Sequence, residues 1–130
     1  MATDPDALVK EFCAAWERMD PDELAAYFTD DGVYHNIPMA PLEGRDAIRD
    51  GLAGMKAMIS SIRFEIHRQI SSGDLVMNER TDRFRIGEAS IELPVAGVFE
   101  VGPDGRITLW RDHFDMKMFN DQMAAITPPA

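Results

Sequence analysis

Residues 75–86 read Leu75-Val76-Met77-Asn78-Glu79-Arg80-Thr81-Asp82-Arg83-Phe84-Arg85-Ile86. In an extended chain, side chains of equal parity share a face. The odd face, with Glu79, Thr81, Arg83 and Arg85 after Leu75 and Met77, has a solvated character. The even face carries Val76, Asn78, Arg80, Asp82, Phe84 and Ile86, apolar at both ends and polar in the middle. If the apolar ends enter a core, Arg80 and Asp82 go with them, where unpaired charges cost several kcal/mol. A one-residue slip would reverse the faces, so the register of this strand decides where the charges lie.

The neighbouring segments share its period. Upstream, Ile62, Phe64, Ile66 and Ile70 alternate with polar residues, and Ser71-Ser72-Gly73-Asp74 turns the chain into Leu75. Downstream, Gly87 turns it into a strand over Ile91–Val101. Gly102-Pro103-Asp104-Gly105 is a hairpin signal before a last strand over Ile107–Phe114. Met116–Met123 is read as a terminal helical turn and residues 127–130 as a loose end.

Before residue 60 the period is helical. Thr3 or Asp4 caps a first helix, Pro5 suits its opening turn, and Leu8, Val9, Phe12, Cys13, Ala15 and Trp16 form its apolar stripe. Asp20 and Pro21 open a second short helix that includes Leu24, Ala25, Tyr27 and Phe28. Thr29-Asp30-Asp31-Gly32 is read as a turn, and Val33–Ile37 as a short strand that Pro38 ends. Gly44-Arg45-Asp46 opens a third helix with Ile48, Leu52, Met55 and Ile59 on one side. Helices segregated from a run of strands predict an α+β fold with a curved, mostly antiparallel sheet.

Composition narrows the function classes. The chain has 130 residues, 13 basic and 23 acidic, for a net charge of −10. No two of the basic residues are adjacent, so nothing offers a footprint for nucleic acid or anionic lipid. Cys13 is the one cysteine, and no Cys/His pair has zinc-ligand spacing, so neither a metal nor an intrachain disulfide is expected. The acidic N-terminus lacks an apolar run, which reads as no signal peptide, and no stretch approaches the roughly 20 apolar residues of a membrane span. The expectation is a cytoplasmic protein of one domain over residues 1–130.

Two more strands put polar groups on an inward face. Trp110, Asp112 and Phe114 share a face, so a carboxyl sits between two aromatic rings. Tyr34 and Asn36 share a face opposite Val33, His35 and Ile37. The plain alternative to a catalytic site is a structural Asp–Arg–Asp network that holds the sheet in register, and the residues alone leave both open. Tyr34 alone also suits core filling, and Asn36 a strand-end turn. His35 and His113 have the opposite parity and His67 lies off its strand's apolar face, so all three are read as surface residues. Cys13 is read as buried and inert. Met39, Met55, Met58 and Met116 suit an adaptable pocket wall, with Phe64, Met77, Phe84 and Leu93 as further wall residues.

Tyr34-His35-Asn36-Ile37-Pro38, Glu79-Arg80-Thr81-Asp82 and Trp110-Arg111-Asp112-His113-Phe114-Asp115, in this order and spacing, resemble the limonene-1,2-epoxide hydrolase family. The resemblance implies a cone-shaped α+β fold of the nuclear transport factor 2-like or SnoaL-like superfamily. Three helices from the N-terminal half would pack a curved mixed sheet around a deep pocket. It also implies a cofactor-free homodimer that adds water to a small apolar epoxide, terpene-like or cyclic, to give a vicinal diol. By the same resemblance Asp82 is the base for a water also held by Tyr34 and Asn36, and Asp112 is the acid for the epoxide oxygen. Arg80 lies between the two carboxyls, held more closely to Asp82. The chain begins almost at its first helix, without the N-terminal arm of some relatives.

The fold by itself does not decide function. A ketosteroid-isomerase-like or polyketide-cyclase-like enzyme would use Asp82 as base with Asp112 and Tyr34 as donors, without a water on Asn36. A non-catalytic small-molecule-binding or dimerisation module would have no turnover for Asp82→Asn to abolish. The homodimer expectation also rests on Ile91–Val101, which is apolar on both faces with Pro94, Ala96 and Val98 opposite Ile91, Leu93 and Val95.

Overall fold

The computed structural model describes residues 4–126. Helix α1 (Pro5–Ala15) runs into a 3-10 turn (Trp16–Arg18), followed by α2 (Pro21–Ala25), β1 (Phe28–Asn36), β2 (Leu42–Glu43) and α3 (Arg45–Met58). Four strands then run consecutively, β3 (Ser61–Ser72), β4 (Leu75–Ile86), β5 (Ala89–Val101) and β6 (Ile107–His113), before helix α4 (Met116–Ile126). The sheet has the order β2-β1-β6-β5-β4-β3. All its pairings are antiparallel except β1 with β6. This is the mixed α+β sheet expected from the sequence.

The helix starts follow their caps. The Asp4 carboxylate accepts from the Ala7 amide at 3.1 Å, and Asp20 accepts from the Asp22 and Glu23 amides at 3.0 and 3.3 Å. Thr3 and residues 127–130 lie outside the described residues. Gly44 precedes α3 at φ 94°, a conformation that side chains rarely adopt, so the sharp entry from β2 needs glycine. Among the described residues no helix is long and apolar enough to cross a membrane.

Four segments differ from the reading above. Helix α2 stops at Ala25, and Phe28 opens β1 with its backbone opposite Ile107. The stretch 29–32 is not a simple turn: it bulges within β1, whose pairing with β6 resumes at Val33 opposite Leu109. Strand β2 has only two residues, too few to show an alternation. Residues 116–126 form a full helix rather than a single turn, capped where Asp115 accepts from Lys117 and Met118 amides.

The inner face of the sheet and helices α1 to α3 enclose an aromatic core. Phe12, on the α1 stripe, is fully buried with its ring edge-on to Trp110 at 5.0 Å and to Phe28 at 5.7 Å. Offset and edge-on aromatic pairs add about 0.5–1.5 kcal/mol each beyond the area they bury. Val76 on β4 and Ile91, Leu93, Val95, Phe99 and Val101 on β5 complete the inward face. The even parity of β4 therefore points into the core. Ile70 does not: β3 shifts register against β4 between Ile66 and Arg68, which turns Ile70 to the outer face, 70% exposed.

Candidate active site

The inward parity of β4 carries Asn78, Arg80 and Asp82 to buried positions, and β6 carries Asp112 to another. Arg80 is 1% exposed, yet each of its five N–H groups has an acceptor. Its Nε and Nη2 donate to the two carboxylate oxygens of Asp82, both at 2.9 Å. Nη2 also donates to Asp112 Oδ2 at 2.7 Å, and Nη1 to Asp112 Oδ1 at 3.2 Å and Asn78 Oδ1 at 3.1 Å. The guanidinium thus bridges both carboxyls with a forked pair of bonds to each. The expectation is that it holds Asp82 more closely, but with bonds of 2.9 and 2.9 Å to Asp82 and of 2.7 and 3.2 Å to Asp112 neither carboxyl is clearly the closer.

Sheet register supplies the rest of the site. In the parallel pairing of β1 with β6, Tyr34 lies beside Trp110 and Asn36 beside Asp112. The Tyr34 ring stacks on Trp110 with centroids 4.1 Å apart and planes 6° apart. Trp110 in turn donates its indole N–H to Asp112 Oδ1 at 2.6 Å. One β6 side chain therefore fixes both the tyrosine ring and the carboxyl.

A cavity of about 150 Å³ opens in front of these groups. Tyr34, Asn36, Asp82 and Asp112 meet at its wall, while Arg80 sits behind the carboxyls and does not reach it. The remaining wall is apolar, with Met55 and Met58 from α3, Phe64 from β3, and Phe119 and Met123 from α4. The five polar residues singled out in the sequence are thus brought together, four at the surface of the cavity and one behind it.

Other expectations divide. Phe84 and Leu93 line the cavity as anticipated. Met39, Met77 and Met116 do not, since Met77 has the outward parity of β4 and is 42% exposed, and Met39 is 40% exposed beyond β1. His35 bonds the Met39 carbonyl, His67 bonds the Thr81 hydroxyl, and His113 is exposed, so no histidine lines the cavity. Cys13 is buried, and burial pushes its thiol up to about 12, the inert state expected. Phe119 and Met123 also line the cavity, and nothing in a helix's own spacing says which cavity it covers. Among the described residues no group of three His, Cys, Asp or Glu side chains is placed to hold a metal ion.

The electrostatics separate the groups. Burial raises the Asp82 carboxyl to about 6, against the opposing pull of Arg80 and with the Asp112 charge adding to the rise. Burial alone would lower Arg80, but the charge of Asp112 and the bonds of Asp82 outweigh it and hold the guanidinium charged. Tyr34 is raised by burial, with Asp112 adding and Asn36 opposing, so its phenol stays neutral. Arg80 with two ionised carboxyls carries a net −1, and one proton on the pair makes the cluster neutral. A low-dielectric site favours that neutral state.

Residues 3–124 match the family model of the limonene-1,2-epoxide hydrolase catalytic domain. Epoxide hydrolase EphG of Mycobacterium tuberculosis (strain ATCC 25618 / H37Rv) is 39% identical over 108 residues, which span 83% of this chain and 71% of that protein. The structure of an M. tuberculosis LEH-like epoxide hydrolase is similar at TM-score 0.81 and 36% identity, covering 92% of this chain and 90% of the other. A SnoaL-like polyketide cyclase structure from Shewanella denitrificans reaches TM-score 0.84 at 20% identity, covering 93% of this chain and 97% of that one, a likeness of fold alone.

Proposed function

This chain belongs to the limonene-1,2-epoxide hydrolase family and is an epoxide hydrolase, and we propose that it adds water directly to a small apolar epoxide to give a vicinal diol. The observation that carries the mechanism is the pair of carboxyls, bridged by one guanidinium, that face a single apolar cavity. An epoxide is strained, but its alkoxide is a poor leaving group. Opening it near neutral pH calls for an activated nucleophile and a proton donor together. The substrate is small because the cavity, about 150 Å³, is below the roughly 300–1,000 Å³ of drug-sized ligand sites.

In this reading Asp82 takes a proton from a water that Tyr34 and Asn36 also hold. The water oxygen forms a bond to one epoxide carbon as that carbon's bond to the ring oxygen breaks, and Asp112 protonates the departing oxygen. Water has then been added across the ring, and a proton has passed from Asp112 to product and from water to Asp82. Return of that proton to Asp112 resets the pair. Tyr34 serves as a neutral hydrogen-bonding group rather than a base, in keeping with its raised phenol.

A single turnover in oxygen-18 water, with enzyme in excess, tests the direct step. The first diol formed is expected to carry the label, with inversion at the carbon attacked. Attack by a carboxylate would place an unlabelled protein oxygen in that diol, and such a result would overturn the reading.

The pH profile is a second expected result. Because Asp82 must be ionised and titrates near 6, kcat/KM rises with pH through about 6 and falls about tenfold per unit below it. It falls again once the proton that the acid must donate is lost. The two apparent values belong to the coupled pair, not to either residue. A profile that stays flat from mildly acidic to alkaline pH would exclude these acid and base roles.

We also propose that the protein is a homodimer that covers the outer face of the sheet. Ile70, Met77 and Val98 lie side by side across β3, β4 and β5, with Ile70 and Met77 70% and 42% exposed. Apolar side chains aligned on an open sheet favour cover by a second copy. Sedimentation at micromolar concentration is expected to show a dimer that Ile70→Lys dissociates, and a monomer of the parent protein would refute it.

A further inference from the structure

Behind the carboxyls lies a second layer of the site, and it accounts for two residues that the reaction itself does not use. Asn78 and Gly97 are neighbours in the β4–β5 pairing, and Gly97 in turn pairs with Asp112 on β6. We propose that Asn78 and Gly97 are positioning residues that hold the Arg80 guanidinium between Asp82 and Asp112. The inference rests on the role given to Arg80 above and adds how that role is enforced.

The polarity of Asn78 is fixed from both ends. Arg80 Nη1 can only donate, so the Asn78 atom facing it at 3.1 Å must be the oxygen. The amide nitrogen then points the other way, donating to Gln69 Oε1 at 3.1 Å and to Cys13 Sγ at 3.9 Å. Gln69 is itself oriented, because its Nε2 donates to the carbonyl and carboxylate of Asp6 at 3.0 and 2.9 Å, and both are acceptors only. The chain Asp6, Gln69, Asn78, Arg80 is therefore a one-way relay from the first turn of α1 to the guanidinium. Asn78 is 5% exposed and does not line the cavity, so a contact with substrate does not explain it.

Gly97 provides the space. Its φ is not in the left-handed region, so backbone freedom is not the reason for glycine here. A Cβ on residue 97 would lie 2.5 Å from Arg80 Nη1 and 3.0 Å from both Asn78 Oδ1 and Asp112 Oδ1. The end of an arginine side chain can usually give way to such a contact. This one cannot without breaking bonds, since all five of its N–H groups are committed. β5 runs between the strands that carry the two carboxyls, and the missing side chain at 97 is the socket into which the guanidinium fits.

The test uses Gly97→Ala and Asn78→Ser in the whole 130-residue chain, each alone and combined with Arg80→Lys. Gly54→Ala serves as the control, because a Cβ there meets nothing within 4 Å. Each positioning variant is expected to lose about 10–100-fold in kcat, the scale of a misplacement of about 1 Å, with KM within about twofold of the parent. The loss from Arg80→Lys is expected to shrink in both backgrounds, because the geometry it disrupts has already been released. A kcat within about twofold of the parent in both variants, or losses that simply multiply with Arg80→Lys, would overturn the inference. If Gly97→Ala does not fold, Asn78→Ser decides alone, since a smaller side chain there introduces no clash. If Arg80→Lys by itself is harmless, the role of Arg80 fails and the inference with it. Loss of kcat in the positioning variants is the distinct readout of the socket.

Discussion

Asp82→Asn is expected to lower kcat by at least the roughly 10²–10⁴-fold that general-base catalysis supplies, with KM little changed. The amide has the shape of the carboxylate but takes no proton from water. Its nitrogen also replaces one of the two oxygens that accept from Arg80 Nε and Nη2, so one of those N–H groups loses its partner. A second signature separates the loss of a base from mere disturbance. The residual rate should no longer rise through pH 6, because the group that titrates there in the parent is gone. Single-turnover diol formation measured from pH 5 to 8 checks both points. Activity within tenfold of the parent would mean that another group activates the water.

Strand parity by itself brings most of the site to one face. With Val76, Phe84 and Ile86 inward on β4, Arg80 and Asp82 must follow, and the pairing with β5 runs without a shift through all twelve residues of the strand. The same reasoning failed for Ile70, because a register shift after Ile66 reverses parity and leaves no mark in the alternation itself. Gly97 shows the limit more clearly. A glycine in a strand normally marks a bulge or a close approach, but what approaches it belongs to a different strand. Only the pairing of β5 with both β4 and β6 shows that Arg80 occupies the space. Asn78 was visible on the polar stretch of the even face, yet its partner Gln69 came inward only through the register shift that hid Ile70. Long-range pairing, rather than local pattern, assembles this second layer.

Arg80→Ala combines the second large activity loss with a change in stability that has a definite sign. Removing the guanidinium leaves Asp82 and Asp112, 7% and 2% exposed, facing one another without the cation that bridged them. Activity should fall by a factor comparable to that of Asp82→Asn, because the like charges hold a proton on the base at neutral pH. Breaking a buried ion pair by removing one partner costs about 3–5 kcal/mol. Here the cost depends on pH. Asp82 already sits at about 6 in the parent, above the unfolded value near 3.9, and loss of the cation raises it further. A raised group contributes stability that is fully present below the unfolded value and is lost as pH rises through the folded one. The variant should therefore lie nearest the parent in thermal midpoint at about pH 4. The gap should widen through pH 6 and beyond, as Asp82 is forced to ionise beside Asp112 without the cation between them. Midpoints measured from pH 4 to 8 test this directly. A constant gap across that range would show that Arg80 stabilises the fold by packing against Phe64 and Trp110, which its guanidinium approaches at 4.6 and 5.8 Å, and not by holding two carboxylates charged.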